Sequence, residues 1–338
     1  MSRVNVIVPC YNYGHYLREC VESVLSQEGV DVRVLIIDDC SPDNTPQVAA
    51  ELMARDSRIE YRRHENNIGH IATYNEGLEW ASGDYLLLLS ADDLLFRGAL
   101  FRAASFMDRN SQVGMVHGRS TNRPGESPSS IGSDGTWQIV TGWNFISEIC
   151  QTGENVISTP TVVVRTSLQK KLGGYRKELP HAGDMEMWLR FAAASSVGFI
   201  NAYQACHRMH NQNMSEIHFR DQRDLCQRRD AFALFFADIG NRVAHASQLK
   251  LIASRALSQE ALWQATKAFE DELQRVSQSW LELSREINPS IRKTKQWKGF
   301  QLKRFVGARA WKRVKPMLRF CRKALAAPNS GKRALVNR

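Results

Sequence analysis

Two adjacent acid pairs and one lone acid stand out in this 338-residue chain as groups that could do chemistry. Tyr85-Leu86-Leu87-Leu88-Leu89 is a continuous apolar run that stops at Ser90-Ala91-Asp92-Asp93. Val32–Ile37 is a second run, and it stops at Asp38-Asp39. Runs of this length are strands covered on both faces or pieces of buried helix. The Gly83-Asp84 start and the acidic stop favour a strand for the first. In open α/β sheets a ligand sits at the carboxyl ends of the strands. Adjacent carboxylates there repel unless a cation lies between or beyond them. A hard divalent ion carrying a substrate phosphate relieves that repulsion. For Asp92-Asp93 a second reading stands beside it, an N-cap for a helix near Leu95–Met107. Asp38 and Asp39 could accept hydrogen bonds from a nucleobase N–H or ribose hydroxyls, while Asp43, Asn44 or Thr45 caps the next helix. Asp184, after His181-Ala182-Gly183, opens a helical stretch. It reads as a general base for a hydroxyl, or as a first-turn acid favoured by the helix dipole.

Elements that position these groups alternate along the first 120 residues. Val4–Pro9 reads as a strand, Tyr16–Gln27 as a helix and Val32–Ile37 as a strand. Thr45–Arg55 reads as a helix with Pro46 in its first turn, Ile59–Arg62 as a short strand and Ile71–Trp80 as a helix. Asp84–Leu89 and Val113–His117 complete the strands, so the pattern predicts a parallel sheet with helices on both faces. Thr121–Gly135, rich in Gly, Pro and Ser, reads as a surface loop. Beyond it come a helix over Trp143–Cys150, a strand over Pro160–Arg165, a helix over Asp184–Ala194 and an edge strand over Tyr203–His210. From Ile217 onward the pattern is helical. Phe269, Leu273, Val276, Trp280, Leu283 and Ile287 form a heptad-like seam, which predicts a helical hairpin or a short coiled coil.

Bulk properties narrow the class. Hydrophobic residues make up 43% and charged residues 24%, the balance of an ordinary globular protein. No apolar stretch approaches the ~18–20 residues of a membrane span. Seven scattered cysteines without a C-x-x-C pair indicate neither a zinc site nor a disulfide framework, and they fit a reducing cytoplasm. The net charge of +10 is uneven. Residues 289–338 hold sixteen Lys and Arg and no acid, leaving 29 basic and 35 acidic side chains, a net of −6, in the first 288. No G-x-G-x-x-G follows the first strand, where Pro9-Cys10-Tyr11-Asn12 stands, which argues against a dinucleotide-dependent oxidoreductase.

Taken together and in order, several short motifs resemble an inverting family 2 glycosyltransferase of the GT-A fold over about residues 3–215. They are Val6-Ile7-Val8-Pro9-Cys10-Tyr11-Asn12, Ser23-Val24-Leu25-Ser26-Gln27, Ile37-Asp38-Asp39-Cys40-Ser41, Asn67-Ile68-Gly69 with Asn75-Glu76-Gly77, Gly83-Asp84-Tyr85 with Ser90-Ala91-Asp92-Asp93, and Gly183-Asp184 with Trp188 and Arg190. The resemblance implies an α/β, Rossmann-like, mostly parallel sheet flanked by helices. It implies that Pro9 and Tyr11 border a nucleobase, that Asp39 binds it, and that Asp92 reaches the ribose or diphosphate. Asp93 and His210 would hold Mg²⁺ or Mn²⁺, and Asp184 would activate the acceptor hydroxyl. The donor would be a nucleotide-diphosphate sugar, a UDP-sugar above others, and the acceptor a glycan or lipid-linked hydroxyl in cell-surface polysaccharide or glycolipid synthesis. Two departures matter: Ser90 replaces the first acid of the family's D-x-D-D form, and Gly183 stands where relatives carry Glu.

Three domains follow: 1–215 for the transferase, 216–288 for a helical extension and 289–338 for a basic tail. In the tail Lys and Arg are interleaved with Trp297, Phe300, Phe305, Trp311 and Phe320, with Pro316 dividing it into two helices. That pattern suits a helix on an anionic membrane face. A solvated tail and a nucleic-acid-binding tail are its rivals, nucleic acid being the weakest. The location expected is cytoplasmic, peripheral on the inner membrane face. The competing function is a non-catalytic nucleotide-sugar or glycan-binding module on the same fold.

Overall fold

A computed structural model describes residues 1–122, 137–210, 213, 222–239 and 242–314. Strand β1 (Arg3–Cys10) is buried from Val4 to its end, as its apolar run requires. It lies parallel to β2 (Asp31–Asp38) on one side and to β4 (Tyr85–Leu88) on the other. The register pairs Cys10 with Asp38 and Ile7 with Leu88. All three strands therefore deliver their carboxyl ends, and the acids beyond them, to one edge. Beyond β2 lies β3 (Ile59–Arg63), also parallel.

The helices between these strands are placed by sequence-local devices. Helix α1 (Gly14–Leu25) starts two residues before the expected Tyr16, because the Asp43 carboxylate accepts the Gly14 N–H at 2.8 Å. Helix α2 (Thr45–Arg55) begins where Asp43 also takes the Thr45 N–H and hydroxyl. Helix α3 (His70–Trp80) packs so closely on β1 that a Cβ at Gly77 would sit 2.2 Å from Ile7 Cγ2. Only glycine allows that approach.

Past β4 the mostly parallel sheet continues with antiparallel pairings. The sheet has nine strands in the order β3-β2-β1-β4-β8-β6-β9-β5, with β7 alongside β9. Strand β5 (Leu94–Leu95), β6 (Val113–Thr121), β7 (Gln138–Val140), β8 (Val163–Arg165) and β9 (Ser196–Cys206) make this second half. Strand β8 runs antiparallel to both β4 and β6. It is three residues long, and its predicted beginning at Pro160 is a 3-10 turn over Thr159–Thr161. The rival reading of Asp92-Asp93 as a helix cap does not hold: the helix near Leu95–Met107 is α4 (Ala99–Arg109), β5 intervenes, and Gly98 with φ 75° precedes the helix. The expected edge strand Tyr203–His210 is instead the end of β9. Pairing stops at Cys206, and His207–His210 turn back over Asp92-Asp93. The loop read over Thr121–Gly135 lies almost wholly outside the described residues.

Helices α5 (Gly142–Thr152), α6 (Thr166–Leu172), α7 (Gly183–Ala194) and α8 (Arg223–Asp238) complete the first of two compact units, Met1–Ala253. The boundary thus falls well after residue 215, because α8 buries Leu225, Phe232 and Phe235 within this unit.

The second unit begins at Ser254, inside α9 (Ala246–Glu270), and includes α10 (Gln274–Ile287) and α11 (Lys295–Val306). The heptad-like seam does not run as one stripe. It crosses the α9–α10 turn, where Glu272 has φ 62°, and Leu273 and Val276 are exposed. The buried residues of α10 are Ser277, Leu281, Leu283 and Ser284, so Leu283 is the seam position of this helix that is buried. Small residues bring the backbones close, and Ser258 and Ser284 donate to each other's carbonyls at 2.7 and 2.8 Å. The predicted tail divides here: Ile291 and Phe300 are core residues with Leu262, Ala265 and Leu281. Residues 315–338, with Pro316, lie outside the described set. Among the described residues no helix is long and apolar enough to cross a membrane.

Candidate functional site

The two acid pairs end up side by side and do opposite things. Asp38 is fully buried, and its oxygens accept the Ser41 N–H at 2.7 Å and the Tyr61 hydroxyl at 2.9 Å, with Arg63 Nη1 at 3.3 Å. Asp39 follows, its N–H held by the Cys10 carbonyl. Asp39 Oδ1 accepts the Ile68 N–H at 2.8 Å, and Oδ2 accepts the Gly69 N–H at 2.9 Å. His64 Nδ1 lies 2.8 Å from Oδ1. An ionised carboxylate has about four acceptor positions, so one remains on Oδ2 for a ligand N–H. Left-handed backbone at Asn12 (φ 61°) and Cys40 (φ 62°) turns both post-strand loops, and the Ser41 hydroxyl accepts the Asn12 N–H at 3.0 Å. Pro9 lies in β1 opposite Ile37, and Tyr11 is half exposed at the rim.

Asp92 and Asp93 are both buried. Asp93 is turned inward: its Oδ1 accepts the Arg208 N–H at 3.1 Å and lies 3.0 Å from His207 Nδ1. Burial, then the neighbouring Asp92 charge, raises its carboxyl above the ordinary range, against the lowering effect of His207. Asp92 is held differently. Its Oδ2 lies 3.0 Å from His210 Nε2, while its Oδ1, buried, has no hydrogen-bond partner among the described residues. The structure therefore brings His210 to Asp92, not to Asp93 as the resemblance implied.

His210 stacks on Tyr16 at 5.2 Å and meets Tyr13 edge-on at 5.3 Å. The Arg208 guanidinium covers the other part of this cluster, 4.4 Å from the Tyr16 ring centre, and it bonds Glu19 at 2.6 Å and the Asp92 carbonyl. Asn213 clamps the turn by accepting the His210 N–H and donating to the Arg208 carbonyl. Sequence reasoning gave no part to Arg208 and Asn213, because their part depends on a turn that brings residue 208 against residue 92.

A divalent ion needs oxygen ligands, and Mg²⁺ in particular is held by one or two protein groups with the rest from phosphate and water. The unpartnered Asp92 Oδ1 beside His210 fits that requirement. Among the described residues no three His, Cys, Asp or Glu side chains form a cluster that would hold a metal alone. Ser90 contributes only backbone here, its carbonyl accepting the Asp93 N–H at 3.0 Å.

Asp184 occupies the first turn of α7. Its Oδ2 accepts the Thr159 hydroxyl at 2.8 Å and the Asn155 amide at 3.0 Å. Among the described residues its Oδ1 accepts only the Met185 N–H, at 2.8 Å. Burial raises its pKa above the usual Asp value, partly offset by the Thr159 and Met185 hydrogen bonds. A raised pKa makes a better base at neutral pH. The loops that present it are braced by α8: Arg228 donates to the Gly153 carbonyl at 2.7 Å, and Asp224 lies 3.0 Å from His181 Nε2. Tyr74 of α3 feels the charge of both acid groups. Burial, then the charges of Asp92, Asp184 and Asp93, pushes its phenol upward, so all three carboxylates act on one side chain. Its ring meets Tyr175 at 5.5 Å. Beside it opens a cavity of about 580 Å³ lined by Gly69, His70, Asn75, Tyr175, Arg176 and Lys177.

Residues 5–161, which carry both acid pairs, match the model of Glycosyl transferase family 2. This region belongs to that family and has its GT-A fold. The chain is 35% identical over 92 residues to the glycosyltransferase GlyG of Streptococcus pneumoniae serotype 4, covering 27% of this chain and 31% of GlyG. Its fold is similar to that of residues 1–349 of S. aureus TarS in complex with UDP-GlcNAc (TM-score 0.64, 21% identity, 83% of this chain and 79% of that one). It is also similar to the mannosyltransferase PcManGT of Pyrobaculum calidifontis in complex with GDP-Man and Mn²⁺ (TM-score 0.55, 17% identity, 88% and 83% covered). The chain spans about a third to just under two thirds of the length of the first curated relatives it matches.

Proposed function

We propose that this protein transfers a glycosyl group from a nucleotide-diphosphate sugar, a UDP-sugar, to a hydroxyl of a glycan or lipid-linked acceptor, with inversion, in cell-surface polysaccharide or glycolipid synthesis. What supports the reading is a buried, unpartnered carboxylate oxygen on Asp92 together with a buried, raised-pKa carboxylate on Asp184. Pro9 and Tyr11 border the base, and Asp39 offers its last acceptor position to a base N–H. Asp92 and His210 hold Mg²⁺ or Mn²⁺, with Asp93 supporting them from behind. The ion, when bound, offsets charge on the departing diphosphate.

Asp184 Oδ1 takes the proton of the acceptor hydroxyl as that oxygen bonds the anomeric carbon. The bond from that carbon to the diphosphate oxygen breaks on the opposite face, and the electron pair leaves with the nucleotide. One carboxylate is sufficient because the diphosphate needs no general acid, unlike the leaving group in glycoside hydrolysis. The cavity beside Tyr175 is the acceptor's approach. A screen of nucleotide sugars for slow hydrolysis, with Mg²⁺ or Mn²⁺ and then with EDTA, tests the donor and the metal together. Hydrolysis of one donor that EDTA stops is expected; a screen in which no donor is bound or cleaved rejects the reading.

The basic C-terminal segment supports peripheral attachment to an anionic cytoplasmic membrane face. Helix α11 exposes Leu302, Phe305 and Val306, spaced three and four apart, while Phe300 on its other side is buried. Lys and Arg around such a face each contribute on the order of 1 kcal/mol on anionic lipid. Phe305→Asp is expected to reduce flotation with phosphatidylglycerol vesicles severalfold without unfolding the helical unit. Equal flotation of variant and wild type removes α11 as the anchor.

A further inference from the structure

His64 lies between two carboxylates that belong to different elements. Its Nδ1 is 2.8 Å from Asp39 Oδ1, at the end of β2, and its Nε2 is 2.8 Å from Glu76 Oε2, on α3. Its backbone N–H is pinned to the Asp38 carbonyl at 2.9 Å, and its side chain is 13% exposed. Ionised carboxylates only accept hydrogen bonds, so both ring nitrogens must donate, and only the imidazolium carries two N–H groups. A neutral ring would set a lone pair against one carboxylate oxygen at 2.8 Å.

The carboxylate on one side of this sandwich also holds the Ile68 and Gly69 N–H groups, which begin the loop leading into α3. We propose that His64, clamped by Glu76, is the positioning residue of the nucleotide pocket and makes nucleotide affinity depend on its proton. This rests on the reading of Asp39 as the group that meets the base. With the proton present, Asp39 is fixed and its remaining acceptor position points consistently at one place. Without it, Asp39 and Glu76 face each other across a ring that can satisfy only one of them, and the Ile68–Gly69 turn loses its anchor.

The other charges around this group have their own partners. Arg62 of β3 bonds Glu76 Oε1 at 3.3 Å but is shared with Glu60 at 2.7 Å, so it only partly neutralises Glu76. Arg63 is turned to Asp38. Burial disfavours the charged ring, yet the Asp39 and Glu76 hydrogen bonds outweigh it and the pKa of His64 is raised. The sign follows: ordering of the pocket is complete below the ordinary His range and is lost as pH rises through the raised value.

Titration of the full chain with UDP, at fixed Mg²⁺ between about pH 6.5 and 9, tests this. The wild type is expected to lose about tenfold in UDP affinity across the step, the order of one charge-assisted hydrogen bond. In Glu76→Gln the amide can donate to a neutral ring, so affinity stays high and the step disappears. His64→Gln binds weakly at every pH, also without a step. In turnover the step belongs to the donor KM and not to kcat. A wild type that binds UDP equally at all pH values, or a Glu76→Gln variant that keeps the step, overturns the proposal while leaving the transferase reading intact. Failure of the wild type to bind UDP or GDP at any pH removes both.

Discussion

The ends of β2 and β4 carry the same two letters, Asp-Asp, after the same kind of buried run, and they have been put to different uses. At Asp38-Asp39 the protein itself takes most of the acceptor positions: donors from Ser41, Tyr61, Ile68, Gly69 and His64 surround them and leave Asp39 one position for a ligand N–H. That pair builds the loops. At Asp92-Asp93 one acid is consumed by His207 and Arg208, and the other keeps a buried oxygen with no partner among the described residues. A buried, unpartnered carboxylate oxygen is costly unless a cation arrives. The difference teaches that an acid pair at a strand end can serve a cation only where the surrounding backbone leaves it short of donors.

Substitutions can break or sharpen that contrast. The largest effect is expected at the third carboxylate, Asp184, which has a spare acceptor position and in the proposed reaction is the base, not a cation ligand. Asp184→Asn should lower kcat about a thousandfold while UDP affinity stays unchanged. Full activity in that variant would leave the cleft without a base. Next, Asp92→Asn should reduce turnover roughly a hundredfold and raise the metal concentration needed, with thermal stability unchanged or improved because an uncompensated acid is gone. Asp38→Asn should behave in the opposite way, losing about 2 kcal/mol in urea unfolding while the folded fraction keeps its kcat. If these two variants exchanged their effects, the contrast between the pairs would fail. The smallest change is a shift. Asp184 must be ionised to act and its pKa is raised, so kcat falls on the acid side at a pH above the ordinary Asp range. Thr159→Val removes a hydrogen bond that favours the ionised form, and the acid limb of the kcat profile should move further up, with only a few-fold loss at its plateau.

Much of the first unit was legible in the chain. Apolar runs, ended by acids in β2 and β4, placed β1, β2 and β4 within a residue or two, since a parallel central strand has no polar face to blur the signal. The antiparallel half was less legible. Strand β8 has three residues, too short for a periodicity to show, and Tyr203–His210 merged a strand end with a turn whose shape is dictated by Asp93. The seam at Phe269–Ile287 satisfied a heptad spacing, yet Ser258, Ser277 and Ser284 mark the closest backbone approach, because helices joined by a tight turn can pack through small residues. The supposed tail misled for a similar reason: its many Lys and Arg hid two buried anchors, Ile291 and Phe300.

The sequence by itself determined that acids stand at the ends of buried strands, that Asp184 begins a helix, and that the positive charge is concentrated after residue 288, because these are matters of local pattern and count. The tertiary structure decided which oxygen is left over. That depends on where residues 64, 155, 159, 208 and 210 fall in space, and each lies between 25 and 118 positions from the acid it meets. Hydrogen-bond saturation is a property of such distant neighbours, so only the folded chain distinguishes an acid that holds a loop from one that waits for a cation.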